Sequence, residues 1–174
     1  MEIRKEFLPF SRPSIGEREI ESVVACMKSG WITTGAVCKR FEDKFCKLTG
    51  AGRAIAFQSA TAGMHLILTA IGLKQGDEVI TPSMTFASTV NMIALQGAKP
   101  VFVDIDYGTM NINCDLIEAK ITPRTRAIIP VHFAGQVADM KRLNALAKRH
   151  KLLVIEDAAH AHGASYRGKP AGSL

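Results

Sequence analysis

No stretch of this 174-residue sequence reaches the roughly 18 consecutive apolar residues of a membrane-spanning helix. That lack argues against an integral membrane protein. The opening MEIRKEFLPFSRP has no apolar segment of the kind a secretory signal needs. The four cysteines, Cys26, Cys38, Cys46 and Cys114, form no C-x-x-C pair. Isolated thiols suit a reduced, cytoplasmic compartment better than a disulfide scaffold or a zinc site. Aromatic residues make up only 6% of the chain, too few for a base-stacking platform. The net charge of +6 does not restore a nucleic-acid reading. Its densest basic group, Lys141, Arg142, Lys148, Arg149 and Lys151, has the spacing of one solvated helix face. A modest preference for anionic ligands is what the charge supports. Two phosphate fingerprints are also missing. There is no G-x-x-x-x-G-K-[ST], and Gly50 and Gly52 precede a strand rather than follow one. P-loop and dinucleotide-dependent oxidoreductase readings lose their main support. His160 and His162 form an H-x-H without a third His or a carboxylate in register, so no metal is expected.

What is present reads as an ordinary globular chain, 47% hydrophobic and 22% charged. Ser14 and Glu17 fit a capping box, and Ile20, Val23, Val24 and Met27 follow at helical spacing. The helix should end at Ser29 and Gly30. A glycine-flanked loop, GWITTG, then carries Trp31, Thr33 and Thr34. Phe41, Phe45 and Leu48 mark a second helix that Gly50 is suited to stop. From Arg53 the pattern alternates. Strands are expected at 54–57, 78–81, 100–103, 127–131 and 152–155, with helices at 61–71, 86–95, 115–121 and 138–150 between them. Such alternation predicts an α/β fold with a largely parallel sheet and helices on both faces. We therefore expect a helical arm over 1–50 and an α/β domain over 51–174.

Right-handed crossovers put the carboxyl ends of all parallel strands on one rim, where ligands bind. On that rim, Ser59, Ala60 and Thr61 mark a strand-to-helix turn. Unpaired backbone N–H groups at a helix start attract phosphate, although Ser and Thr there also serve as ordinary caps. Phe86 offers an aromatic ring on the next loop, and a lone Phe can equally be core packing. LLVIEDAAHAHG ends a buried strand in Glu156 and Asp157, where Asp157 could face a protonated ring nitrogen or merely cap the next turn. An anion cradle, an aromatic face and a strand-end Asp together describe a site for a planar, phosphorylated ligand with a basic ring nitrogen. Pyridoxal 5′-phosphate meets that description, and Asp is a recurring partner of its pyridinium nitrogen.

With SGWITTG, SATAGMH, GDEVITPSMTF, KPVFVDID, AIIPVHFAG and VIEDAAHAHGASYRGK in order, the sequence resembles the DegT/DnrJ/EryC1/StrS sugar aminotransferases along essentially its whole length. The resemblance implies an incomplete type I pyridoxal-phosphate aminotransferase large domain. It implies that Ala60 and Thr61 hold the cofactor phosphate, that Phe86 stacks on the ring, that Asp157 meets the ring nitrogen and that His160 lies near the ring hydroxyl. Trp31, Thr33, Thr34 and His132 would surround the substrate. The implied reaction moves an amino group from glutamate, leaving 2-oxoglutarate, to a nucleotide-linked 4-keto sugar, with a UDP-4-keto-pentose of lipid A modification favoured. The implied assembly is a homodimer. The family's Schiff-base lysine lies in a motif after AGSL, so no catalytic residue is expected before Leu174. Lys169 belongs to the Y-R-G-K turn and is no substitute. A chain ending there is expected to be inactive by itself. Two alternatives stay open, a sugar dehydratase of the same scaffold with His in place of that lysine, and an inactive remnant.

Overall fold

The computed structural model describes residues 6, 7, 9 and 12–174. The first five residues, with Leu8, Phe10 and Ser11, to which the reading of the opening segment largely refers, lie outside them. By backbone contacts the chain forms two units, Met1–Phe41 and Glu42–Leu174.

The first unit holds α1 (Glu17–Lys28) and the start of α2 (Ala36–Thr49). The N-terminal cap of α1 is Gly16 rather than Ser14. Glu19 Oε2 accepts from the Gly16 N–H at 2.7 Å, so the acidic half of a capping box sits two residues further on than the sequence suggests. Without a side chain Gly16 cannot return the bond, and its extended backbone alone starts the helix. At the other end, Ser29 caps α1 and Gly30 takes a φ of 74°, as anticipated.

The second unit is built around a four-stranded sheet in the order β2-β1-β3-β4, parallel throughout. Its strands are β1 (Glu78–Pro82), β2 (Lys99–Val103), β3 (Thr125–Ile128) and β4 (Leu153–Val154). Between them run α3 (Ala60–Ala70), which leads into β1, then α4 (Ala87–Leu95), α5 (Cys114–Ile117) and α6 (Met140–His150). Side-chain alternation divides the strands between two cores. Val79, Ala127 and Ile129 pack with Met64, Leu68 and Ile93 from α3 and α4. Ile80 and Ile128 pack with Ile117, Met140 and Leu143 from α5 and α6. Every residue of β1 is buried, as a central strand covered on both faces requires. A hairpin of β5 (Ser165–Tyr166) and β6 (Lys169–Pro170) follows.

Two expected elements differ. Residues 54–57 have the composition of a strand but join no ladder, and Ile55 is 71% exposed. A strand exists only against another strand's N–H and C=O groups, and none is aligned beside this segment among the described residues. The Ala56 N–H goes instead to Glu42 Oε1 at 3.0 Å. The expected helix 115–121 is one α turn continued by a 3-10 turn, Glu118–Lys120. No helix of the described residues is long and apolar enough to cross a membrane.

Candidate functional site

The carboxyl ends of the strands open into a cavity of about 800 Å³ within the second unit. It lies where the chain order reverses, between the segments that follow β1 and β3, the position at which open parallel sheets form a crevice. Its size falls in the range of small-molecule sites. Ala60, Thr61, Phe86, Asp157 and His160 all line it.

Each gets there by a local rule. Ser59 is extended and its side chain accepts from the Ala62 N–H at 3.2 Å, which starts α3. The Ser59 carbonyl takes the Gly63 N–H, so the Ala60 and Thr61 amides have no acceptor within the helix. They sit at the positive end of an 11-residue helix, in a wall of the cavity. Phe86 caps α4 with extended backbone and is 73% exposed. It is therefore an open aromatic face, not core packing. Asp157 follows β4, and the backbone holds it there by an isolated parallel bridge to Val131. Its N–H donates to the Pro130 carbonyl at 2.9 Å, and its carbonyl accepts from the His132 N–H at 3.0 Å. On the side chain, Oδ2 accepts from the Thr89 hydroxyl at 2.9 Å and Oδ1 from the Ala159 N–H at 3.3 Å. Thr89 in turn accepts from the Thr85 hydroxyl at 2.9 Å.

Glu156, next to Asp157, has a different environment. Its Oε2 accepts from His132 Nε2 and from the Gly172 N–H, both at 2.9 Å, and its Oε1 accepts from the Leu174 N–H at 2.7 Å. Burial pushes its carboxyl up, but the hydrogen bonds from His132, Gly172 and Leu174 outweigh that and hold it below the ordinary value. Glu156 thus ties the 172–174 segment to the sheet end. His132, expected beside the substrate, is fully buried. Its Nδ1 accepts from the Ala138 N–H at 3.3 Å, which leaves the hydrogen on Nε2 for Glu156. With both nitrogens engaged its side chain does not line the cavity, although Val131 and Phe133 on either side do. Sequence reasoning missed Thr89, the inward face of Glu156, and Asn111. The buried Asn111 side chain accepts from the Phe133 N–H at 3.1 Å and donates to the Gln136 carbonyl at 3.0 Å, holding that turn in place.

The two residues of H-x-H separate. His160 lines the cavity, whereas His162 stacks on Phe45 with ring centroids 5.4 Å apart. Trp31, Thr33 and Thr34 belong to the first unit. There the Trp31 indole donates to the Thr34 carbonyl at 3.0 Å, and all three are exposed.

A parallel sheet with a free helix start, an open aromatic ring and a carboxylate around one cavity is the arrangement that a planar phosphorylated ligand requires. The family follows directly: residues 13–174 match the model of the DegT/DnrJ/EryC1/StrS aminotransferase family, and the chain belongs to it. Among solved structures it is similar to Spr1654 of Streptococcus pneumoniae, assigned as a sugar aminotransferase, in its PLP form. The two share 39% identity and a TM-score of 0.90 over 96% of this chain and 46% of that one. An aminotransferase from Psychrobacter cryohalolentis shares 40% identity and a TM-score of 0.88, over 94% of this chain and 42% of that one. DesI, solved in the presence of its TDP-sugar product, shares 40% identity with a TM-score of 0.81 over 89% and 39% of the two chains. The chain spans less than half the length of these structures.

Proposed function

We propose that the cavity holds pyridoxal 5′-phosphate and that the protein moves an amino group from glutamate to a nucleotide-linked 4-keto sugar. The observation that carries this reading is the meeting of Ala60, Thr61, Phe86, Asp157 and His160 around one cavity. Spr1654 in its PLP form and DesI with a TDP-sugar product support the cofactor and the substrate class. When bound, the cofactor supplies an electron sink for the carbon that bears the amine.

The chain's residues then do the following. The Ala60 and Thr61 amides at the start of α3 bind the phosphate. Phe86 covers one face of the ring and keeps water from it. Asp157 holds a proton on the ring nitrogen, which keeps the ring electron-poor, and His160 contacts the ring hydroxyl. The resemblance assigns Trp31, Thr33 and Thr34 to the sugar. The buried His132 serves the sugar by bracing its neighbours Val131 and Phe133. The resemblance assigns the cofactor-linking lysine to a segment after Leu174, so no residue here is given that role.

FLPFSRP and GWITTG resemble UDP-4-amino-4-deoxy-L-arabinose:oxoglutarate aminotransferase, which favours a UDP-4-keto-pentose and lipid A modification. A cytoplasmic homodimer belongs to the same reading. The test is to supply the protein carrying this chain with pyridoxal 5′-phosphate, glutamate and either a UDP-4-keto-pentose or a TDP-linked 4-keto-hexose. We expect 2-oxoglutarate and amino sugar to form in equal amounts, faster with the UDP-pentose. Amination of the TDP-hexose alone would overturn the pentose assignment, and no amination of either would overturn the activity.

A further inference from the structure

We propose that the first turn of α4 is an alignment device in which Thr89 positions Asp157 relative to Phe86, with Thr85, which itself lines the cavity, as the second link. The proposal rests on the reading that the cavity takes a phosphorylated pyridine. Thr89 is 1% exposed and does not line the cavity, so it cannot touch a ligand directly. Its hydroxyl lies 2.9 Å from Asp157 Oδ2, and the Thr85 hydroxyl lies 2.9 Å from Thr89 Oγ1.

The direction of this chain follows from its inner end. A carboxylate that meets a cationic ring nitrogen is ionised and can only accept. Thr89 must therefore give its one hydroxyl hydrogen to Asp157, which leaves a lone pair for Thr85 to donate into. The Asp157 carboxylate has about four lone-pair sites, and Thr89 and Ala159 take two of them. Those that remain serve the cavity. With one donor on each oxygen, Asp157 keeps a fixed rotamer without losing its capacity to accept from a ring N–H.

The same turn also fixes the aromatic face. Phe86 is the cap of α4, and its carbonyl accepts the Thr89 N–H at 3.1 Å. One residue thus joins the ring-stacking side chain, through its backbone, to the nitrogen-facing carboxylate, through its side chain. The separation of those two groups is set inside one helical turn rather than across two independent loops.

The experiment compares Thr89→Val, Thr89→Ser and Thr85→Val in the protein carrying this chain. The probe is pyridoxamine 5′-phosphate, which shares the phosphate and ring but needs no covalent link. Calorimetry reads affinity, and the ¹⁵N signal of a ring-labelled probe reads protonation of the ring nitrogen. Thr89→Val should weaken binding about tenfold, the loss expected for one hydrogen bond to a charged group, and move the ¹⁵N signal toward the unprotonated position. Thr89→Ser, which keeps the hydroxyl, should stay within about twofold of the parent, and Thr85→Val should lose about threefold. Parent-like affinity for Thr89→Val, or an equal loss for Thr89→Ser, would overturn the proposal, because the hydroxyl would then not matter. Should Thr89→Val fail to fold, Thr85→Val decides by its ¹⁵N signal, because Thr85 itself lines the cavity: a shift toward the unprotonated position supports the proposal and a parent-like signal overturns it. Asp157→Asn separates the two readings. If it binds the probe as the parent does, the cavity reading fails. If it binds weakly while Thr89→Val binds normally, only the alignment proposal fails.

Discussion

Gly35 is held glycine by the ring it supports. A Cβ at that position would lie 2.3 Å from Trp31 Nε1, inside any real contact distance. Gly35→Ala should therefore swing the indole away from the Thr34 carbonyl it now bonds at 3.0 Å. Trp31 is the single tryptophan of the chain, so its emission reports the change without interference. We expect a red shift as the indole gains water, and unchanged emission would contradict the packing described. The residue scale is also where sequence reasoning reaches least far. Asp157 announces itself by following an apolar run, and Phe86 by its place after a strand. Thr89 and Asn111 look like any polar residue in a helix or a loop. Their importance comes from partners far away in sequence, 68 residues for Thr89 with Asp157 and 22 for Asn111 with Phe133. No local pattern encodes such pairs.

Elements were legible where the periodicity of one segment settles its state, and less so where a second segment decides. β1, β2, α3, α4 and α6 fall close to their expected places because their apolar spacing suits one conformation only. Residues 54–57 read as a strand for the same reason, yet pairing depends on a neighbour that no local signal supplies. The clasp between β1 and β3 is a further case. Glu78, buried at the start of β1, accepts from the Thr122 hydroxyl at 2.6 Å and from Arg124 Nη2 at 2.9 Å, both just ahead of β3. The Thr122 hydrogen bond, then that of Arg124, holds the Glu78 carboxyl below its ordinary value despite burial. A depressed carboxylate gives stability that is complete above the ordinary glutamate range and lost as pH falls through the lowered value. Glu78→Gln should lower stability by about 1–2 kcal/mol at neutral pH, a fall of roughly 3–6 °C in Tm. Thermal melts of both proteins down to acid pH should show the gap closing. A gap that stays constant with pH would mean that the charge of Glu78 is not what ties the strands.

At the scale of the whole molecule, the two cores have one consequence for function. Sheet and helices bury Val79, Ile80, Ile128 and Ile129 completely, which leaves the strand ends as a rigid rim. Groups from the starts of α3 and α4 and from the end of β4 then meet at one cavity although they are scattered from Ala60 to His160. That meeting was legible in outline, because parallel order alone sends every strand's carboxyl end to the same side. What the sequence did not reveal was the division of labour between the neighbouring carboxylates, which both line the cavity: Asp157 takes its bonds from Thr89 and Ala159, whereas Glu156 gathers His132 and the 172–174 segment. The account depends above all on the first of these. The measurement that tests it most directly is calorimetric titration of the protein carrying this chain, and of its Asp157→Asn variant, with pyridoxamine 5′-phosphate. The account predicts saturable binding at one site per chain, weakened about tenfold or more by the substitution. No binding by the parent protein, or equal binding by both, would contradict it.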